Sequence, residues 1–138
     1  MPLLDTNHFD LILLSNENVL RRVQKSTEKV WLSSVVAEEH LAAYLNTINR
    51  ARAPRTSLSL PRAHKDFVQA LEDLRLFPVL IYDDRAEAIY QTFSPAQIRV
   101  GAQDCRIAAQ ALAHHLTVIT RNTRDFDAIG APCADWSA

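Results

Sequence analysis

Short β-prone runs alternate with longer helical stretches along nearly the whole chain, and that alternation restricts the fold more than any single motif does. Pro2-Leu3-Leu4, stopped by Asp5, Val30-Trp31-Leu32, Pro78-Val79-Leu80-Ile81-Tyr82 and Leu116 to Thr120 read as strands, with a final edge piece near Ala131 to Trp136. Helical patterns fill the gaps. One follows Thr6-Asn7 through about Leu14, a second is capped by Ser15 or Asn16, and a long one runs from Ser33 or Ser34 to about Arg52. A further helix carries Phe67 to Leu74, another is capped by Asp83 or Asp84, and an alanine-rich one spans Ala102 to His115. Such alternation predicts a three-layer α/β/α domain with a short central parallel sheet of roughly four to five strands. The 138 residues suffice for one such domain over 1–138, without repeats or a linker. In sheets of this kind ligands sit beyond the carboxyl ends of the strands, so the residues that follow each strand carry the functional information.

Composition excludes several machines. There are only 2 glycines, Gly101 and Gly130, isolated and far apart, so no glycine-rich loop can cradle a phosphate. Fifteen basic and sixteen acidic residues give a net charge of -1, which leaves only a local patch to attract a polyanion. Cys105 and Cys133 form no framework or C-x-x-C pair; both read as buried thiols in a reducing, cytoplasmic setting. The amino terminus lacks a signal-peptide pattern, and no apolar run is long enough for a membrane span.

Acids cluster where the crevice should be. Asp5 closes the first strand, with capping of the next helix as the plainer role. Glu38 and Glu39 lie one turn into the long helix, and since neighbours differ by about 100° on a helix, one can face the site while the other stays solvated. Asp104 falls on the same face as Ile107 and Ala108, where a carboxylate is costly unless paired or liganded. Asp125 follows the last clear strand and, alone, reads as a loop acid. Carboxylates brought together raise one another's pKa values and call for a cation. Oxygen-only ligands select a hard ion, Mg²⁺ or Mn²⁺, which can activate water for phosphodiester hydrolysis.

The motifs resemble those of the PIN-domain family, specifically VapC-type toxins of type II toxin-antitoxin systems. Leu3-Leu4-Asp5-Thr6-Asn7-His8 is similar to the family's opening motif, and Leu32 to Glu39 to its second, which matches Glu39 to the motif acid. Ile48-Asn49-Arg50-Ala51-Arg52 is similar to a run in one VapC-like group. Asp104 to Ala109 resembles the third motif and Val118 to Phe126 the fourth. The likeness covers nearly the whole chain and implies an Mg²⁺-dependent endoribonuclease (Mn²⁺ serving as well), acting on structured RNA such as tRNA. By this likeness Asp5, Glu39, Asp104 and Asp125 are the catalytic metal-site acids, with Thr6, Asn7, Thr120 and Asn122 as supporting polar residues. His40, after the second acid, departs from the apolar residue that many members have there.

An acidic pocket needs a basic rim to hold RNA. His40 to Lys65 contains five basic residues and no acid, so Arg50, Arg52 and Arg55, with Arg121 and Arg124, are candidate backbone contacts; a solvated arginine face is the alternative. Phe9, Ile12, Leu13, Val19 and Leu20 give more apolar surface than one short helix needs. The resemblance assigns part of it to a small antitoxin and part to a homodimer face. A catalytically inactive RNA-binding or scaffold module with the same fold is the competing reading. An aspartyl-nucleophile phosphatase wants an acid two residues after the first, where Asn7 stands, and a flavodoxin-like domain wants a phosphate loop.

Overall fold

Five parallel strands form the sheet in the computed structural model, which describes residues 1–138. They are β1 (Pro2–Leu4), β2 (Trp31–Ser33), β3 (Val79–Leu80), β4 (Thr117–Ile119) and β5 (Cys133–Ala134), in the spatial order β3-β2-β1-β4-β5. Leu3 lies between Trp31 of β2 and Val118 of β4. Leu3, Leu4, Leu32 and Val118 are fully buried, as parallel strands covered on both faces must be.

Eight helices cover the sheet: α1 (Thr6–Leu13), α2 (Glu17–Lys25), α3 (Ser34–Ala51), α4 (Leu60–Asp73), α5 (Asp84–Tyr90), α6 (Pro95–Val100), α7 (Ala102–His114) and α8 (Thr123–Ile129). The chain steps from β1 to β2 to β3 in one direction, then crosses to β4 and β5 on the other side of β1. Right-handed crossovers therefore assign α1 to α4 to one face and α5 to α8 to the other. Packing agrees, with α1 on α2, α3 on α4, and α6 on both α7 and α8. The strand order reverses between β1 and β4, and the crevice opens at their carboxyl ends.

Side-chain caps start most of the helices. Asp5, Asn16, Ser33, Ser59, Asp83 and Ser94 each accept a hydrogen bond from a backbone N–H of the helix they precede. Gln110 of α7 is fully buried near the top of the sheet. Its Oε1 accepts from the Ser33 hydroxyl and its Nε2 donates to the Leu80 carbonyl at 3.0 Å, which ties β2 and β3 to the opposite helical layer.

The structure amends three expected elements and the burial of one cysteine. Helix α8 occupies a segment expected as loop; Phe126 and Ile129, three residues apart, are buried, and Gly130 ends it at φ 101°. Helix α6 is also additional, one short helix marked by the Ser94 and Gln97 capping box and by Pro95 at its start. The third strand shrinks to Val79–Leu80, because β2 turns into α3 after Ser33 and leaves no partner for Ile81, which is 73% exposed. Cys105 is buried as expected, but Cys133 on the edge strand β5 is only half-buried.

Candidate active site

Asp5 follows β1 with its backbone N–H bonded to the Ile119 carbonyl of β4, so the sheet itself holds it at the reversal point. Its carboxylate is 3% exposed and accepts from the His8 N–H at 3.1 Å, so it caps α1 and faces the crevice at once. Burial pushes the Asp5 carboxyl up to about 6, and the Asp104 charge adds to the rise. Hydrogen bonds from the Thr120 hydroxyl and the His8 and Asn7 N–H groups act the other way. Thr120 is fully buried and its Oγ accepts from the Asn122 N–H at 2.9 Å, which leaves its one proton for Asp5.

The two adjacent glutamates diverge. The Glu39 carboxylate accepts from the Thr6 hydroxyl at 3.3 Å, beside Asp5, whereas Glu38 accepts from the Gln103 amide at 3.1 Å on an exposed surface. Asp104, in the first turn of α7, folds back so that its Oδ2 lies 3.4 Å from where a Cβ on Gly101 would stand. Its pKa is raised, first by burial and then by the charges of Asp125 and Glu39. Asp125 sits in the first turn of α8. The four acids thus sense one another electrostatically, with Asp104 as the hub.

No three acidic, histidine or cysteine side chains converge on a common ligating point. A loose oxygen set of this kind suits a hydrated ion better than an all-protein cage, since Mg²⁺ keeps several waters and takes one or two carboxylates directly. The donor chemistry therefore fits a hard divalent cation, which would offset the burial, and the lesser mutual repulsion, that raise Asp5 and Asp104.

The supporting polar residues are differently engaged. Thr6 and Thr120 touch the acids, Asn7 binds the β4–α8 turn by accepting from the Arg121 N–H at 3.2 Å, and the exposed Asn122 makes no side-chain cap to α8. Arg121 and Arg124 are exposed on the rim beside Thr120 and Asp125. Arg50, Arg52 and Arg55 are exposed as well, but Arg50 lies three turns along α3 from Glu39, about 16 Å at 1.5 Å per residue, so they are not part of the acid cluster.

Two histidines matter that the motifs did not single out for a role. His8 is fully buried, bonded to Asn7 and to the Trp136 N–H. Its position four residues before Ile12, on the buried face of α1, was the available signal. His40 packs edge-on against Phe9 and Tyr44, and its Nε2 is buried without a hydrogen-bond partner, 3.6 Å from Asp73. His40 also borders a cleft lined by Asp10, Leu13, Leu14, Ala43 and Tyr44, next to Glu39. Leu14 is 78% exposed there, whereas Phe9, Ile12 and Val19 belong to the core.

A family model described as PIN domain matches residues 3–132. Among solved structures, FitAcB from Neisseria gonorrhoeae is similar at 30% identity, over 98% of this chain and 97% of that one, with a TM-score of 0.70. FitAB bound to an IR36 DNA fragment is 26% identical over 100% and 96% of the two chains, TM-score 0.70. DNA-bound VapBC from Salmonella typhimurium is 25% identical over 98% and 97%, TM-score 0.68. No curated protein sequence matches the chain.

Proposed function

This chain belongs to the PIN-domain family, and from that premise we propose that it is a metal-dependent endoribonuclease of the VapC toxin type, one such domain over residues 1–138. The observation that carries the proposal is the electrostatic coupling of Asp104 to Asp5, Glu39 and Asp125 at the strand-order reversal. Asp5 and Asp104 would be the central ligands of Mg²⁺ or Mn²⁺, with Glu39 binding directly or through water. Asp125 completes the acid group or orients the attacking water. Held there by these carboxylates, the ion would supply Lewis acidity for hydrolysis of an RNA phosphodiester by water.

The chain's own residues prepare that site. Thr120 and the backbone N–H groups of α1 favour the ionised form of the buried Asp5, and Thr6 holds Glu39 toward it. Arg121 and Arg124 on the rim offset the repulsion between an acidic pocket and a polyanion. The cleft with Leu13, Leu14 and Tyr44 beside Glu39 supports a small antitoxin as protein partner; the homodimer rests on the resemblance alone. No helix is long and apolar enough to cross a membrane.

The test is to incubate purified protein with structured RNA, including tRNA, with and without Mg²⁺, and to map the new 5′ ends. Discrete Mg²⁺-dependent cuts that vanish in Asp104→Asn are expected. Cleavage that persists in EDTA, or in that variant, would refute the assignment.

A further inference from the structure

The hydrogen bonds around His8 leave a single consistent assignment of protons. The Trp136 backbone N–H can only donate, and it points at His8 Nε2 at 3.1 Å, so Nε2 carries a lone pair and the ring is neutral. The proton is then on Nδ1, 3.0 Å from Asn7 Oδ1. The Arg121 backbone N–H, also an obligatory donor, meets the same Oδ1 at 3.2 Å. Two donors therefore fix which way the Asn7 amide faces, and its NH2 has no partner within the protein and is not buried. Asn7 itself adjoins the acid cluster, since the Asp5 carboxylate receives its backbone N–H. A side chain whose oxygen is held by two donors, with its NH2 left without a protein partner, can offer that NH2 to an anion at the site.

We propose that Asn7 offers its amide NH2 to a non-bridging oxygen of an RNA phosphate at the acid cluster, and that His8, its tautomer set by the Trp136 backbone, is the positioning residue that holds Asn7 in that orientation. This rests on the endoribonuclease reading and extends it, since the carboxy-terminal segment at Asp135-Trp136 becomes part of substrate recognition. The tail reaches the site through one imidazole. Without the Nδ1 proton only the Arg121 N–H still holds the amide, and the flipped orientation, which presents Oδ1 and repels phosphate, becomes more populated.

Two replacements of His8 separate its two bonds, because an asparagine amide reaches the Nδ1 position and a glutamine amide the Nε2 position. His8→Asn keeps a donor to Asn7 and loses the Trp136 contact; His8→Gln does the reverse. Steady-state cleavage of an RNA that the wild type cuts should show KM raised about tenfold or more in His8→Gln and within about threefold of wild type in His8→Asn, although both lose thermal stability. Asn7→Asp retains acceptors for His8 and Arg121 on a partly exposed residue, and should raise KM at least as much, with Mn²⁺ affinity undiminished by calorimetry. Equal KM values for the two His8 variants, or an unchanged KM in Asn7→Asp, would overturn the inference alone. A wild type that cleaves no RNA would overturn the endoribonuclease reading, and this inference with it.

Discussion

Asp5→Asn should stabilise the metal-free protein while destroying its activity. Burial raises the Asp5 carboxyl from 3.8 to about 6, so at pH 7 the folded chain carries an ionised group whose charge costs more than it does in the unfolded chain. That difference of about two pKa units corresponds to roughly 3 kcal/mol of stability forgone. The sign follows from proton uptake. Between about pH 4 and 6 the native state holds more of the Asp5 proton than the unfolded chain does, so stability falls as pH rises through that window and stays low above it. Asparagine removes the charge and keeps an oxygen for the His8 N–H at 3.1 Å, but its NH2 faces the Thr120 hydroxyl, a mismatch costing about 1 kcal/mol. The net gain is about 2 kcal/mol, or roughly 6 °C in Tm for a chain of this size. Thermal unfolding of both proteins in EDTA at about pH 8, 6 and 4 measures it. The gap should be largest at the highest pH and shrink, then reverse slightly, at the lowest, where only the amide mismatch remains; Mn²⁺ should raise the Tm of wild type much more than that of Asp5→Asn. An Asp5→Asn protein less stable than wild type at pH 8 would show that Asp5 is held by its hydrogen bonds more than it is strained by burial.

Three further outcomes follow from particular contacts. Gln110→Ala removes the acceptor for the Ser33 hydroxyl proton and a donor to the Leu80 carbonyl, and should cost about 2 to 3 kcal/mol in urea unfolding, with activity per folded molecule preserved. His40→Phe replaces an orphaned buried nitrogen between Phe9 and Tyr44, so stability should hold or rise by about 1 kcal/mol; a loss larger than that would mean the 3.6 Å approach to Asp73 matters. Replacing Arg50, Arg52 and Arg55 together by Ala should reduce the salt slope of RNA affinity by about 2 while leaving cleavage of a very short RNA unchanged, because they stand three helical turns from Glu39. An unchanged slope would make them a solvated face.

Much of this was legible in the chain itself. The alternation of strands and helices, Asp5 at the end of β1 and Asp104 on the buried face of α7 are all local patterns, and local patterns survive in sequence. Helix α8 was not recognised because seven residues give too few apolar positions for a period, and Asp125 consequently looked like a loop acid. Periodicity alone left Glu38 and Glu39 alike, since adjacent residues share every local signal; the structure separates their surroundings, with the Thr6 hydroxyl on Glu39 and the Gln103 amide on Glu38. His8 illustrates the limit best, because its tautomer depends on a backbone N–H 128 residues away. Sequence by itself determined which residue types end each strand and the chemistry they can support. Tertiary structure alone decided how their charges couple, which carboxylate is buried and which amide end faces solvent, because desolvation and hydrogen-bond direction arise only when distant segments exclude water together.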